Sequence, residues 1–113
     1  MSSENRRHTR HSVQIGGEIS LGFETVAVAT QNVSEGGAAL VVDVRVDRGA
    51  TLAVTLFLTQ DGIEDPDQEP FETQATIAWV RPYAGGRFLA GVGFLAVSAV
   101  QRDRLRSFLA AIP

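Results

Sequence analysis

Cysteine and lysine are both missing from this chain. Without cysteine there are no disulfides, no thiolate nucleophile and none of the common structural zinc sites, which fits a reducing compartment. Without lysine every cation is an arginine, the planar fork that suits phosphate and the Hoogsteen edge of guanine. Histidine is nearly absent too: His8 and His11 are the only two. A histidine metal site would need carboxylates brought from elsewhere, and His11 beside Ser12 is adjacency in sequence rather than a triad. No apolar run approaches the roughly 20 residues of a membrane span, and no apolar stretch follows Arg6–Arg10 as a secretory signal requires. The sequence therefore predicts a cytoplasmic protein without membrane insertion. No pair of catalytic carboxylates stands out. The Gly-x-Gly within "GGRFLAGVG", Gly85 to Gly93, lies between strand-like runs with no helix behind it, so it is not a phosphate or dinucleotide loop. The chain is not expected to be an enzyme.

The 113 residues, 44% of them hydrophobic, are expected to form one complete domain with a single core. The charge is unevenly placed. "ENRRHTRHS", Glu4 to Ser12, gathers three arginines and both histidines just ahead of the first strand-like run. The rest is net acidic, most densely in "DGIEDPDQEPFE", Asp61 to Glu72, whose loop portion reads as a solvated excursion. A duplex-binding protein would show a broad basic face. A single-strand binder would show a basic groove lined with aromatics. With neither present, no DNA or RNA partner is expected. An anionic ligand would have to be held by a local clamp.

Six short runs read as strands: Ser12–Leu21 with a kink or bulge at Gly16-Gly17, Phe23–Thr30, Ala38–Val44, Ala50–Thr59, Phe71–Arg81 and Phe88–Ala96. In the fourth, Leu52, Val54, Leu56 and Leu58 share one face. Short strands at this spacing suggest a sandwich or barrel, and closing on itself lets a small sheet hide its edges. The chain then turns helical. Ser98 is a good N-cap with Gln101 three residues on, as in a capping box. Leu105, Phe108, Leu109 and Ile112 form one apolar stripe that can cover the barrel, leaving Arg102, Arg104 and Arg106 on a solvated face. The expected architecture is all-β with a C-terminal helix: a flexible arginine-rich arm, 1–11, then a small six-stranded antiparallel β-barrel domain, 12–113, with its helix at 98–112.

A second polar cluster, "QNVSEGGAAL", Gln31 to Leu40, falls between the second and third runs. It can be a plain polar turn, with Asn32 and Ser34 capping local backbone and its glycines passing through left-handed conformations. It can also be a compact donor and acceptor set that a ligand approaches over Gly37. Trp79, the only tryptophan, is most simply core. Its place beside Val80-Arg81 also permits a rim position where the indole stacks on a base or an arginine.

Taken together, Arg6-x-x-x-Arg10 before the first strand and Asn32-x-Ser34-x-x-Gly37 after the second resemble the PilZ domain family. The Trp79-Val80-Arg81 run, the Gly91-Val92-Gly93-Phe94 strand and the terminal helix agree in order. The resemblance implies a bacterial second-messenger receptor for cyclic di-GMP, with no other cofactor. Arg6 and Arg10 would grip phosphate and guanine, Asn32 and Ser34 would contact a guanine base, and Gly37 would shape the loop. Arg7 and His8 are second-rank candidates for phosphate contact, and Trp79 for stacking. The family often has aspartate where this chain has Asn32, so a carboxylate acceptor for guanine N–H groups is missing. The resemblance further implies a monomer or a ligand-dependent dimer that relays the signal to a downstream protein partner. The alternative is a PilZ-like adaptor that binds proteins without nucleotide.

Overall fold

The computed structural model describes residues 9–58 and 69–112. Arg6, Arg7, His8 and most of the acidic loop lie outside the described residues. Six strands appear in chain order: β1 (Gly16–Leu21), β2 (Glu24–Val33), β3 (Gly37–Val42), β4 (Thr51–Leu56), β5 (Phe71–Tyr83) and β6 (Arg87–Leu95), followed by helix α1 (Ala99–Ala110). Every pairing is antiparallel, and the order β1-β2-β3-β6-β5-β4 closes into a barrel. The expected fold class is therefore the observed one.

The alternating runs fold as their period dictates. Ile19, Val28, Leu40, Val42, Leu52, Val54, Leu56, Phe71, Ala75, Ile77, Ala90 and Val92 point inward and are buried in one cluster. Phe71 is fully buried, with its ring 5.1 Å from that of Phe94. α1 lays Leu105, Phe108 and Leu109 onto the same cluster, packing against β5. The Ser98 hydroxyl caps α1 by accepting from the Gln101 amide at 3.2 Å. The capping box is not reciprocal, because the Gln101 side-chain carbonyl accepts instead from the Glu72 amide of β5 at 3.3 Å. Among the described residues no helix is long and apolar enough to cross a membrane.

Three local expectations are corrected. β1 starts at Gly16, and its register runs unbroken through Gly16 and Gly17, so there is no bulge there. The bulges lie elsewhere, between Thr30 and Asn32 in β2 and between Ile77 and Trp79 in β5. β2 in turn continues past Thr30 to Val33, which places Asn32 inside a strand rather than in the following loop. Finally, two helix arginines expected only to be solvated also form ion pairs: Arg104 with Glu69 at 3.3 Å and Arg106, still exposed, with Glu35 at 2.7 Å.

One buried hydroxyl helps to hold the chain ahead of β1, beside backbone bonds to Thr30 and Val33. Thr30 Oγ1 accepts from the Ile15 amide at 3.0 Å and donates to the Val13 carbonyl at 2.6 Å. Thr30→Val keeps the shape and strands both groups. It is expected to lower stability by about 1–3 kcal/mol, the penalty for leaving buried backbone groups unpaired, read as a lower urea midpoint at unchanged slope.

Candidate nucleotide-binding face

Two bulges build the site. In an unbroken strand Asn32 would share the inward face of Thr30, two residues before it, and Trp79 that of Ile77. Each bulge adds one residue and reverses the alternation. Val33 and Val80 then take the inward positions, and Asn32 and Trp79 turn to the outside of the barrel. Both are half-buried. The sequence's simplest expectation for Trp79, a core position, is thereby corrected.

Register brings these two residues into one row. Asn32 of β2 lies opposite Ala39 of β3, Ala39 opposite Gly91 of β6, and Gly91 opposite Trp79 of β5. The row spans three strand spacings, about 14 Å. Its two central positions carry almost no side chain. A Cβ at Gly91 would overlap the Trp79 indole, so the ring lies flat over this glycine. The result is a flat stretch of wall in which Ala39 and Gly91 are themselves buried, with a polar side chain at one end and the indole over Gly91 at the other. Arg81, two residues beyond Trp79 on the same face, stacks its guanidinium 4.5 Å from the indole centroid. The rim position that the sequence left open for Trp79, with an arginine on the indole, is the one adopted, although Arg81 itself was not among the expected ligand contacts. The available signal was its i, i+2 spacing from Trp79, which puts both on one face of a strand.

At the polar end, His11 and Val33 exchange backbone hydrogen bonds of 2.8 and 3.0 Å. This antiparallel bridge sets residue 10 beside the end of β2, and Arg10 Nη1 donates to Asn32 Oδ1 at 2.9 Å. The first arginine motif and the Asn-x-Ser motif thus meet, across 22 residues of sequence, in a direct side-chain contact.

The Ser34–Gly37 turn follows. The Ser34 amide donates to the Gly37 carbonyl at 2.8 Å. The Ser34 hydroxyl donates to that same carbonyl at 3.3 Å and accepts from the Gly36 amide at 3.2 Å. Ser34 is buried at 7% exposure, so its oxygen is committed to shaping its own turn. Neither Gly36 nor Gly37 adopts left-handed backbone, contrary to the polar-turn expectation. Gly37 is required for a different reason: a Cβ there would overlap the Val92 carbonyl oxygen of β6.

The chain is thus a small closed barrel that carries an arginine–asparagine pair and an indole–guanidinium stack on its outer wall. The family model for the PilZ domain matches residues 4–111, and the chain belongs to that family. A search of curated protein sequences gives no match. Among solved structures, the chain is similar to the Bacillus subtilis inhibitor of motility MotI/DgrA, with 16% identity, a TM-score of 0.73, and coverage of 95% of this chain and 52% of that one. It is also similar to the PilZ domain of Escherichia coli YcgR with cyclic di-GMP, with 17% identity, a TM-score of 0.74, and coverage of 94% and 89%. The PilZ domain of CeSA from a cellulose-synthesizing bacterium follows at 19% identity and a TM-score of 0.61, covering 90% and 96%. The chain spans about half the length of the MotI/DgrA chain. At these identities the structural likeness concerns the fold.

Proposed function

We propose that this chain is a receptor for cyclic di-GMP that acts in the cytoplasm and passes the signal to a partner protein. The observation that carries this reading is the Arg10–Asn32 contact at the open end of the outer-face row. Cyclic di-GMP is a dianion with two guanines. An arginine can fork to guanine O6 and N7 or pair with a phosphate. The Asn32 carbonyl oxygen has two lone pairs. One holds Arg10 in place, and the other is available to a guanine N–H. Asn32 therefore does part of what an aspartate would do there, without the negative charge. Ala39 and Gly91 are buried and Gly91 lies beneath the indole, so a base entering from the Asn32 end meets the Trp79–Arg81 stack, where a purine can pile on the guanidinium plane. Arg6, and Arg7 behind it, supply further cationic groups from the segment ahead of Arg10. Ser34 and Gly37 serve by fixing the turn that ends the row. The PilZ domain of YcgR, solved with cyclic di-GMP, supports this choice of ligand.

Calorimetric titration tests it. Cyclic di-GMP is expected to bind, and cyclic di-AMP to bind about tenfold or more weakly, because adenine presents an amine where the arginine fork needs the guanine O6 acceptor. Equal affinity for the two removes the guanine-specific reading. No heat from either leaves the nucleotide-independent adaptor.

A further inference from the structure

α1 grips the barrel with two arginines that flank a buried leucine. A helix turns about 100° per residue, so Arg104 and Arg106 project to opposite sides of Leu105, which is only 1% exposed. On one side Arg104 reaches Glu69 and donates to the Pro70 carbonyl at 3.4 Å, just ahead of β5. On the other, Arg106 Nε donates to Glu35 Oε1 at 2.7 Å. Glu35 is one of the two variable positions between Ser34 and Gly37, and its neighbour Gly36 accepts from the Phe94 amide at the end of β6 at 2.9 Å. The Ser34–Gly37 turn is thus tied to β6 by backbone and to α1 by charge. The Arg106 guanidinium is held above its ordinary pKa by the hydrogen bond to Glu35, then by that carboxylate's charge, with Asp103 adding to it and desolvation opposing.

We infer that Arg106 is a positioning residue for the nucleotide site, acting through Glu35, and that this pair couples the Ser34–Gly37 turn to the docking of α1. The inference rests on the cyclic di-GMP reading. A ligand that fixes the turn strengthens the pair and steadies the helix. By linkage, a protein that grips α1 and holds Arg106 in place raises nucleotide affinity by the same factor. Exposed ion pairs are individually weak and screened by salt, so the coupling is graded and fades as ionic strength rises.

Amide exchange on the full chain tests this with wild type, Glu35→Gln, Arg106→Ala and the control Arg102→Ala. Without nucleotide, the Ser34 and Gly36 amides are expected to exchange about twofold to fivefold faster in the first two variants, the range an exposed pair supports, and at the wild-type rate in Arg102→Ala. With saturating cyclic di-GMP, exchange across residues 104–110 is expected to slow in wild type and in Arg102→Ala. In Glu35→Gln and Arg106→Ala it should stay as it is without ligand. Unchanged turn exchange in both variants, or nucleotide-dependent protection of α1 that survives them, overturns the coupling. Failure of wild type to bind cyclic di-GMP in the same samples overturns the receptor reading instead, and the nucleotide-free comparison then decides the ion pair by itself.

Discussion

Arg10→Ala is expected to weaken cyclic di-GMP binding by about tenfold to a hundredfold or more while the barrel melts where wild type does. Losing a charged hydrogen-bonding partner costs roughly 1.5–3 kcal/mol, and each 1.4 kcal/mol is about tenfold in affinity. The side chain is exposed, and its hydrogen bond to Asn32 lies on the outer wall. Removing it leaves the core intact, and surface changes of that kind stay within about 0.5 kcal/mol of stability. The pair also predicts a coupling. Because Arg10 and Asn32 share one hydrogen bond, Asn32→Ala is expected to weaken binding too, and the double variant to lose less than the two single losses added. Ser34→Ala should show a smaller binding loss together with some loss of stability, since its hydroxyl serves the turn rather than the open face. Arg102→Ala, on the exposed side of α1, is the neutral control. Arg104 is unsuitable for that purpose because it pairs with Glu69. Normal binding by Arg10→Ala, measured on folded protein, removes the arginine clamp from the proposal.

The division between what the sequence disclosed and what it hid follows from periodicity. The run Leu52, Val54, Leu56, Leu58 declared its inward face because nothing interrupts the alternation there, and all four are buried. The helix stripe of Leu105, Phe108 and Leu109 was legible for the same reason. The proximity of the two polar motifs was foreseeable only through the family resemblance. Nothing in the local sequence says that His11 will pair with Val33 and so carry Arg10 to Asn32. The outward turn of Asn32 and Trp79 was hidden because it depends on bulges, and a bulge is decided by how two strands fit each other, not by the composition of either one. Gln31 and Ala78, the residues left unmatched, carry no signal of it. The helix arginines were misjudged on similar grounds. Arg104 and Arg106 lie off the apolar stripe, as solvated residues do, but their partners lie 35 and 71 residues away in sequence.

Gly37→Ala is expected to be the most damaging of three matched glycine substitutions on the outer wall. At Gly37 the added methyl overlaps the Val92 carbonyl oxygen. That obstacle is backbone, so it cannot rotate away, and β3 and β6 must part where Gly37 faces Gly93. Parting them also disturbs the Gly37 carbonyl, which accepts from both the amide and the hydroxyl of Ser34. Overpacking of this kind costs roughly 1–3 kcal/mol, with about 4–8 °C in Tm per kcal/mol for a domain near this size. Nucleotide affinity should fall as well, because the displaced turn continues directly from Asn32. Gly93→Ala is the control on the partner strand. A Cβ there meets nothing within 4 Å, and replacing a glycine whose backbone suits alanine is neutral to mildly stabilising. Gly91→Ala falls between them, since its methyl meets the Trp79 side chain, which can swing aside. That variant should keep its melting temperature within a few degrees, shift Trp79 fluorescence and lose affinity through the displaced platform. Melting curves, fluorescence and titrations on the three proteins separate the cases. If Gly37→Ala melts with Gly93→Ala, the tight β3–β6 approach does not hold the turn. If Gly91→Ala binds cyclic di-GMP as wild type does while its Trp79 emission shifts, the indole is not part of the nucleotide face.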